Sequence, residues 1–280
     1  MKPITYLLVG TIALFSCTTP RYIYAPSAPN INYFKQKGDN KVTADFSYGN
    51  KNGLGSYNRG IDIQTGYAIS DHFAVAASYN YGTDRDIYYG NNYSTYRSNQ
   101  DTNTVTYKRH FFEISAGYFL PLNKKKTVTY NLYAGVGLGV FAINETDLYN
   151  NINSLYTYKS NTTKIFVQSG FNFMISPYVN FSFTDRLMSV YYNHAVSSYA
   201  DSVYPGYDIN RLNGNTLSVL EHSFNFQFGI PPIKWMKINA GITTCIPFDR
   251  TNMPGNLLAR SFSGNVGLAF NLFESKRSKK

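Results

Sequence analysis

The sequence predicts an all-β fold, a transmembrane antiparallel up-and-down β-barrel of about ten strands, and three observations carry that prediction. Only 15% of the 280 residues are charged, whereas 17% are aromatic, with 26 Tyr and 20 Phe. The chain has no run of about 20 apolar residues, the length a membrane helix needs; apolar residues instead alternate with polar ones over separate segments. The connections between those segments are short and long in turn, as in barrels whose turns lie on one side of a membrane and whose loops lie on the other. A soluble domain carries nearer about 25% charge, and a disordered chain lacks aromatic and β-branched residues.

Residues 1–16 read as an export signal. Lys2 precedes an apolar stretch from Ile4 to Phe15, too short to span a bilayer, and Leu14-Phe15-Ser16 leads into Cys17. Residues 17–40, with Pro20, Pro26 and Pro29, read as an extended tether. The barrel is expected over residues 41–273 and a basic tail over 274–280.

The ten strands follow from period-two alternation. The first carries Val42, Ala44, Phe46 and Tyr48; the second Ile61 to Ile69; the third Phe73 to Tyr81, after a tight Ser70-Asp71 turn. The fourth carries Phe112 to Leu120, and the fifth Val128 to Val140. Ile165 to Ile175 form the sixth, Val179, Phe181 and Phe183 the seventh, with a bulge expected at Asp185-Arg186 where the alternation slips. The eighth holds Phe224 to Ile230, the ninth Met236 to Ile246, and the tenth Val266 to Leu272. Residues 83–108, 143–157 and 196–216 are left as long loops. Tyr48, Tyr67, Tyr118, Tyr130 and Trp235 at strand ends suit interfacial girdles.

The net charge of +10 is compatible at first with nucleic-acid binding. Its placement argues otherwise, because the excess lies in the tether, the short turns and the tail, including Lys124-Lys125-Lys126, Lys234, Lys237 and the closing Lys276-Arg277-Ser278-Lys279-Lys280. Beside anionic headgroups each such residue is worth about 1 kcal/mol. An exported, membrane-embedded chain meets no nucleic acid, and outer-membrane lipids are the expected partner.

Two stretches carry a family resemblance. Leu14-Phe15-Ser16-Cys17 resembles the lipobox of bacterial lipoproteins, and Tyr24-Ala25-Pro26-Ser27-Ala28-Pro29-Asn30, followed by Lys37-Gly38-Asp39 and an alternating strand, resembles outer-membrane barrel lipoproteins of the Bacteroidota type. The resemblance implies acylation at Cys17, an anchor worth about 0.8 kcal/mol per buried CH₂. No acidic residue follows Cys17 closely, which in that family implies that the lipid stays on the periplasmic leaflet, with both termini periplasmic. Cys245 is the one other cysteine, so no disulfide is expected. Phe270-Asn271-Leu272-Phe273 resembles the assembly signal of such barrels.

Candidate chemistry is sparse. Asp84-Arg85-Asp86 invites comparison with the acid pair of omptin proteases, and His194, Ser197, Ser198 and Asp201 with a lipid-modifying hydrolase. His72, His110, His194 and His222 show no metal-ligand spacing, and no cofactor motif is present. Gly135, Gly137 and Gly139 share one strand face, either to admit bulky neighbours or to leave room for a ligand or plug. Asp45, Asp62, Gln64, Glu113, Arg186 and Glu221 form the expected interior polar network, with Lys164 as a further partner, since charges inside a barrel must be paired or wetted. The expected function is non-enzymatic: a structural, adhesive or complex-forming component that meets other outer-membrane or extracellular proteins through its long loops. A narrow solute channel and an outer-membrane enzyme are the alternatives.

Overall fold

The computed structural model describes residues 21–49, 56–89, 102–149, 151–199, 209–231, 233–249 and 257–271. The export signal, Cys17, Asp201 and the basic tail lie outside the described residues.

The described residues form twelve strands: β1 (Arg21–Tyr24), β2 (Asn40–Gly49), β3 (Tyr57–Ala68), β4 (Phe73–Tyr89), β5 (Thr102–Pro121), β6 (Val128–Tyr149), β7 (Ile152–Ser176), β8 (Val179–Ser197), β9 (Thr216–Ile230), β10 (Ile233–Asp249), β11 (Leu257–Ala259) and β12 (Phe262–Phe270). Ten of them, β2 to β10 and β12, close into one barrel, with β12 antiparallel to both β10 and β2 at the seam. The tight connections at 69–72, 122–127, 177–178 and 231–232 mark a short-turn end, where β2 begins and β12 finishes. The other end is the long-loop end. The predicted fold class and all ten predicted strands are present.

The apolar face of each strand points outward. Ile63, Phe112, Val136 and Phe226 all stand exposed on the outer wall, as do Tyr48, Tyr67, Tyr118 and Trp235. An apolar belt of this extent is stable only against hydrocarbon, so the barrel spans a membrane in the manner of outer-membrane barrels.

Several expectations need correction. Residues 83–89 and 102–108 are not loop but the paired upper parts of β4 and β5, and the described residues of 143–157 belong to the upper parts of β6 and β7, which pair up to Tyr149 and Ile152. The segment 196–216 begins as the end of β8 and contains a short 3-10 helix at Ile209–Leu212. The reason is an inversion of faces. On β5 the outward residues Phe112, Ile114, Ala116 and Tyr118 give way above His110 to outward Thr104, Thr106 and Lys108, while Val105, Tyr107 and Phe111 point inward. Strands β5 to β7, of 20, 22 and 25 residues, are about twice as long as a membrane crossing requires. Their upper parts, with that of β8, therefore form a protruding barrel whose interior combines an apolar cluster, built on Tyr107, Phe141, Ile143, Tyr158, Val190 and Tyr192, with buried charged side chains.

No bulge occurs at Asp185-Arg186; pairing runs through both residues on both sides. The alternation slips in composition alone, because the outward position is taken by Asp185, which sits 2.6 Å from His222 Nδ1 on the neighbouring strand. Lys237, expected beside headgroups, points inward and is buried.

The largest correction concerns the tether. Residues 21–39 run inside the lumen: Arg21, Ile23, Tyr24, Ala28, Ile31, Asn32 and Phe34 are all buried. Arg21 lies at the long-loop end, so the described chain begins at the opposite end of the barrel from Phe270, where it was expected to share one side. A proline-containing polar segment suits an open linker and a lumen lined with amides equally well, which is why composition did not separate them.

Candidate functional site: the occupied lumen

The lumen site comes from two sets of residues, the inward positions of ten strands and the axial segment 21–39 that they enclose. At the long-loop end Arg21 forms a fork with Glu145, Nη2 to Oε1 at 2.6 Å and Nε to Oε2 at 3.2 Å. Asn103 and the Tyr199 hydroxyl donate to the same carboxylate, the latter at 2.7 Å. Beside it Arg109 pairs with Asp84, and Arg260 pairs with Asp86 at 2.7 Å. Both arginines grip the segment as well: Arg109 Nη2 donates to the Tyr22 carbonyl at 2.7 Å, and the Arg260 guanidinium lies 3.8 Å from the Tyr22 ring centroid. The backbone of β1 adds parallel pairing with β11.

Midway down, Glu113 accepts from Lys164 at 2.5 Å and Arg186 at 3.3 Å, and Arg186 binds Glu221 through Nη2 at 2.6 Å and Nε at 2.9 Å. The segment enters this cluster directly. Tyr24 donates its hydroxyl to Glu221 at 2.7 Å, and Ser27 Oγ accepts from Arg186 at 3.1 Å. Two cations and two carboxylates make the cluster neutral, which is the condition under which ions tolerate burial.

Below it, barrel side chains satisfy the segment's carbonyls, which an extended chain without ladder partners leaves open. Gln64 donates to the Ala28 carbonyl at 2.8 Å, Gln168 to Asn30 at 3.0 Å, Lys41 to Ile31 at 2.5 Å and Asn172 to Asn32 at 2.6 Å. Asp62 accepts from Asn80 at 2.6 Å and Asp45 from Asn239 at 2.8 Å. At the short-turn end Phe34 meets Phe119 edge-on at 5.7 Å within a small apolar cluster of Ala68, Ala74 and Tyr133. Asp39 closes the segment by accepting from the Lys35 and Gln36 amides. Burial holds its carboxyl above the ordinary value, against those amides and the Lys35 and Lys126 charges.

All six residues of the expected network, Asp45, Asp62, Gln64, Glu113, Arg186 and Glu221, are buried in the lumen. Glu113, Arg186 and Glu221 form one cluster, whereas Asp45, Asp62 and Gln64 lie apart from it, lower in the barrel. Sequence reasoning missed Arg21, Tyr24, Arg109, Glu145 and Arg260. The signal was available in part: continuing the parity of β4 and β5 past residue 83 puts Asp84, Asp86 and Arg109 on the inner face. Asp84 and Asp86 are therefore ion-paired lumen residues, not loop acids. His194, at φ 51°, is exposed in the long-loop region. The glycine row faces inward, where a Cβ on Gly137 would sit 3.0 Å from Glu113 Cγ and 3.4 Å from Lys164 Cβ, so its absence admits the central cluster. Among the described residues no group of three metal-ligating side chains converges.

No protein-family model matches the sequence, and comparison with curated proteins gives no match. Solved structures that are similar include the outer membrane protease OmpT from Escherichia coli, at 10% identity over 88% of this chain and 100% of that one, with a TM-score of 0.47. Others are the translocator domain of the autotransporter NalP from Neisseria meningitidis (9% identity, 84% and 89%, TM-score 0.49) and the NanC porin (12%, 83% and 100%, TM-score 0.34). At this level of similarity none of their activities transfers to the chain.

Proposed function

We propose that this protein is a closed, non-enzymatic outer-membrane component, anchored through Cys17, whose protruding rim serves structural, adhesive or complex-forming contacts with other envelope or extracellular proteins. The observation that carries this reading is the lumen, filled from end to end by residues 21–39. Spaces beside the segment include about 40 Å³ next to Ala25-Pro26-Ser27, about 70 Å³ near Tyr33 and about 10 Å³ at Asn30, each room for at most a few waters. Asp84 and Asp86 are each held by an arginine, Arg109 and Arg260, in ion pairs that anchor the segment, and this structural use supports the non-enzymatic reading.

The rim supports the binding part of the reading. The outer wall of the protrusion carries Thr104, Thr106, Lys108, Asn144 and Lys159 together with exposed Ile152, Leu155 and Val196, a mixed polar and apolar surface raised above the belt on a rigid double-length sheet, and rigid scaffolds that present variable tips are where recognition concentrates. Conductance in planar bilayers tests the closure. The intact protein is expected to give no single-channel steps; reproducible steps from the wild type would restore the channel alternative and remove this one.

A further inference from the structure

The direction in which the lumen is threaded has a consequence for the chain before Arg21. Arg21 meets Glu145, near the long-loop end of β6, and Tyr24 meets Glu221 on β9. Ala28 meets Gln64 of β3, Asn32 meets Asn172 of β7, and Phe34 meets Phe119 of β5, each partner nearer the short-turn end than the last. The segment thus crosses the barrel once, and β2 starts where it finishes. Arg21 therefore stands at the other mouth, at the long-loop end.

We infer that the N-terminal flank, Cys17 included, is held on the long-loop face, so that an acyl group on Cys17 lies in the outer leaflet of the outer membrane and not in the periplasmic one. This rests on the proposed outer-membrane reading, taken with the short turns in the periplasm and the protruding rim outside, as in barrels of this type. The wall height supports the placement. Strands β12, β2 and β3 have 9, 10 and 12 residues, against 20 to 25 for β5 to β7 on the opposite side, so the rim is lowest at the β12–β2 seam. The segment is delivered to that low side: β1 pairs with β11, which leads within two residues into β12, and the Arg260 amide donates to the Tyr24 carbonyl at 2.8 Å. Three residues lie between Cys17 and Arg21, four steps along the chain with a reach of at most about 14 Å. That length can step over a low rim to the adjacent membrane surface. It cannot return to the far side of the barrel.

The path also suits a bulky modification. A lipid need not pass through a finished bore, because β2 and β12 meet as the sheet closes, and the segment is enclosed when the seam forms around it.

Cysteine accessibility in cells tests the inference. Thr19→Cys reports the flank and Lys124→Cys the short-turn end; the wild type, with Cys17 and the buried Cys245, supplies the blank. Each is treated with a membrane-impermeant maleimide before and after permeabilisation, normalised to the denatured protein. Labelling of Thr19→Cys on intact cells, while Lys124→Cys needs permeabilisation, is the expected result. Labelling of both only after permeabilisation overturns the inference. Labelling of Lys124→Cys on intact cells overturns the orientation beneath it instead.

Discussion

Arg186→Met isolates the central cluster. The side chain is almost wholly buried, at 2% exposure, and its guanidinium serves Glu221 twice, Glu113 once and Ser27 twice, at its hydroxyl and its carbonyl. Methionine fills much of the same space but removes one of two cations facing two carboxylates. Lys164 remains on Glu113, so the uncompensated charge settles on Glu221, which keeps the Tyr24 hydroxyl as partner. Leaving a buried carboxylate in this state costs about 3–5 kcal/mol. At about 2–4 °C per kcal/mol for a chain somewhat smaller than this one, the melting temperature falls by roughly 10 °C. The second variant, Arg186→Met with Glu221→Gln, returns the cluster to neutrality and retains an acceptor for Tyr24, so it should recover most of that loss. Thermal scans in detergent micelles at a fixed rate can follow Trp235, the one tryptophan, which stacks on Phe270 at 6.0 Å. A double variant no more stable than the single one would refute the reasoning, because the damage would then come from packing and not from charge.

Two further outcomes follow from the same geometry. Phe34→Ala empties the apolar cluster at the short-turn end, at a cost of about 3–5 kcal/mol, and should release the lower part of the axial segment; hydrogen exchange over residues 30–36 ought to rise while the amides of β5 stay protected, and unchanged exchange there would show that the lower contacts do not hold the segment. Asp185 and His222 interrupt the outer belt between Phe183 and Leu187 on one strand and Leu220 and Phe224 on the next. Replacing both by Leu should raise stability in lipid by about 1–4 kcal/mol, since well-packed apolar residues commonly replace such a pair without loss; a fall in stability would mean that the pair has a partner in the membrane.

The barrel was legible because its membrane part obeys a period of two with an unbroken apolar face. Phe73 to Tyr81 and Phe112 to Tyr118 could not be read otherwise. The reading stopped at His110 because the rule that exposes the strand reverses there: above the belt water is outside, and Tyr107 and Val105 take over the inward positions that Glu113 and Ser115 hold below. A search for one apolar face sees two incompatible halves and reports a loop. Parity alone, followed without regard to polarity, would have carried β4 through Asp84, Asp86 and Tyr88. The axial segment left no such trace. Its anchoring depends on Arg186, Gln168 and Asn172, between roughly 140 and 160 residues away in sequence, and nothing local in Ala25-Pro26-Ser27-Ala28 marks it as enclosed.

The join between segment and seam has a mechanical meaning. Gly38, at φ 88°, turns the axial chain into β2, and β2 is clamped lengthwise between β12 and β3. A pull on the N-terminal flank from the long-loop side loads the Arg21 and Tyr24 contacts first, then the Gly38 corner, and only then β2. Because the chain reverses at that corner, tension then peels β2 from its Asn40 end, one ladder pair after another, out from between β12 and β3. The flank is thus a fixing held in series, first by the lumen contacts and then by the seam strand itself, and single-molecule pulling from residue 20 should register a first rupture at the Arg21 and Tyr24 contacts followed by stepwise release of β2, where a loosely lodged plug would slide out in one low-force event.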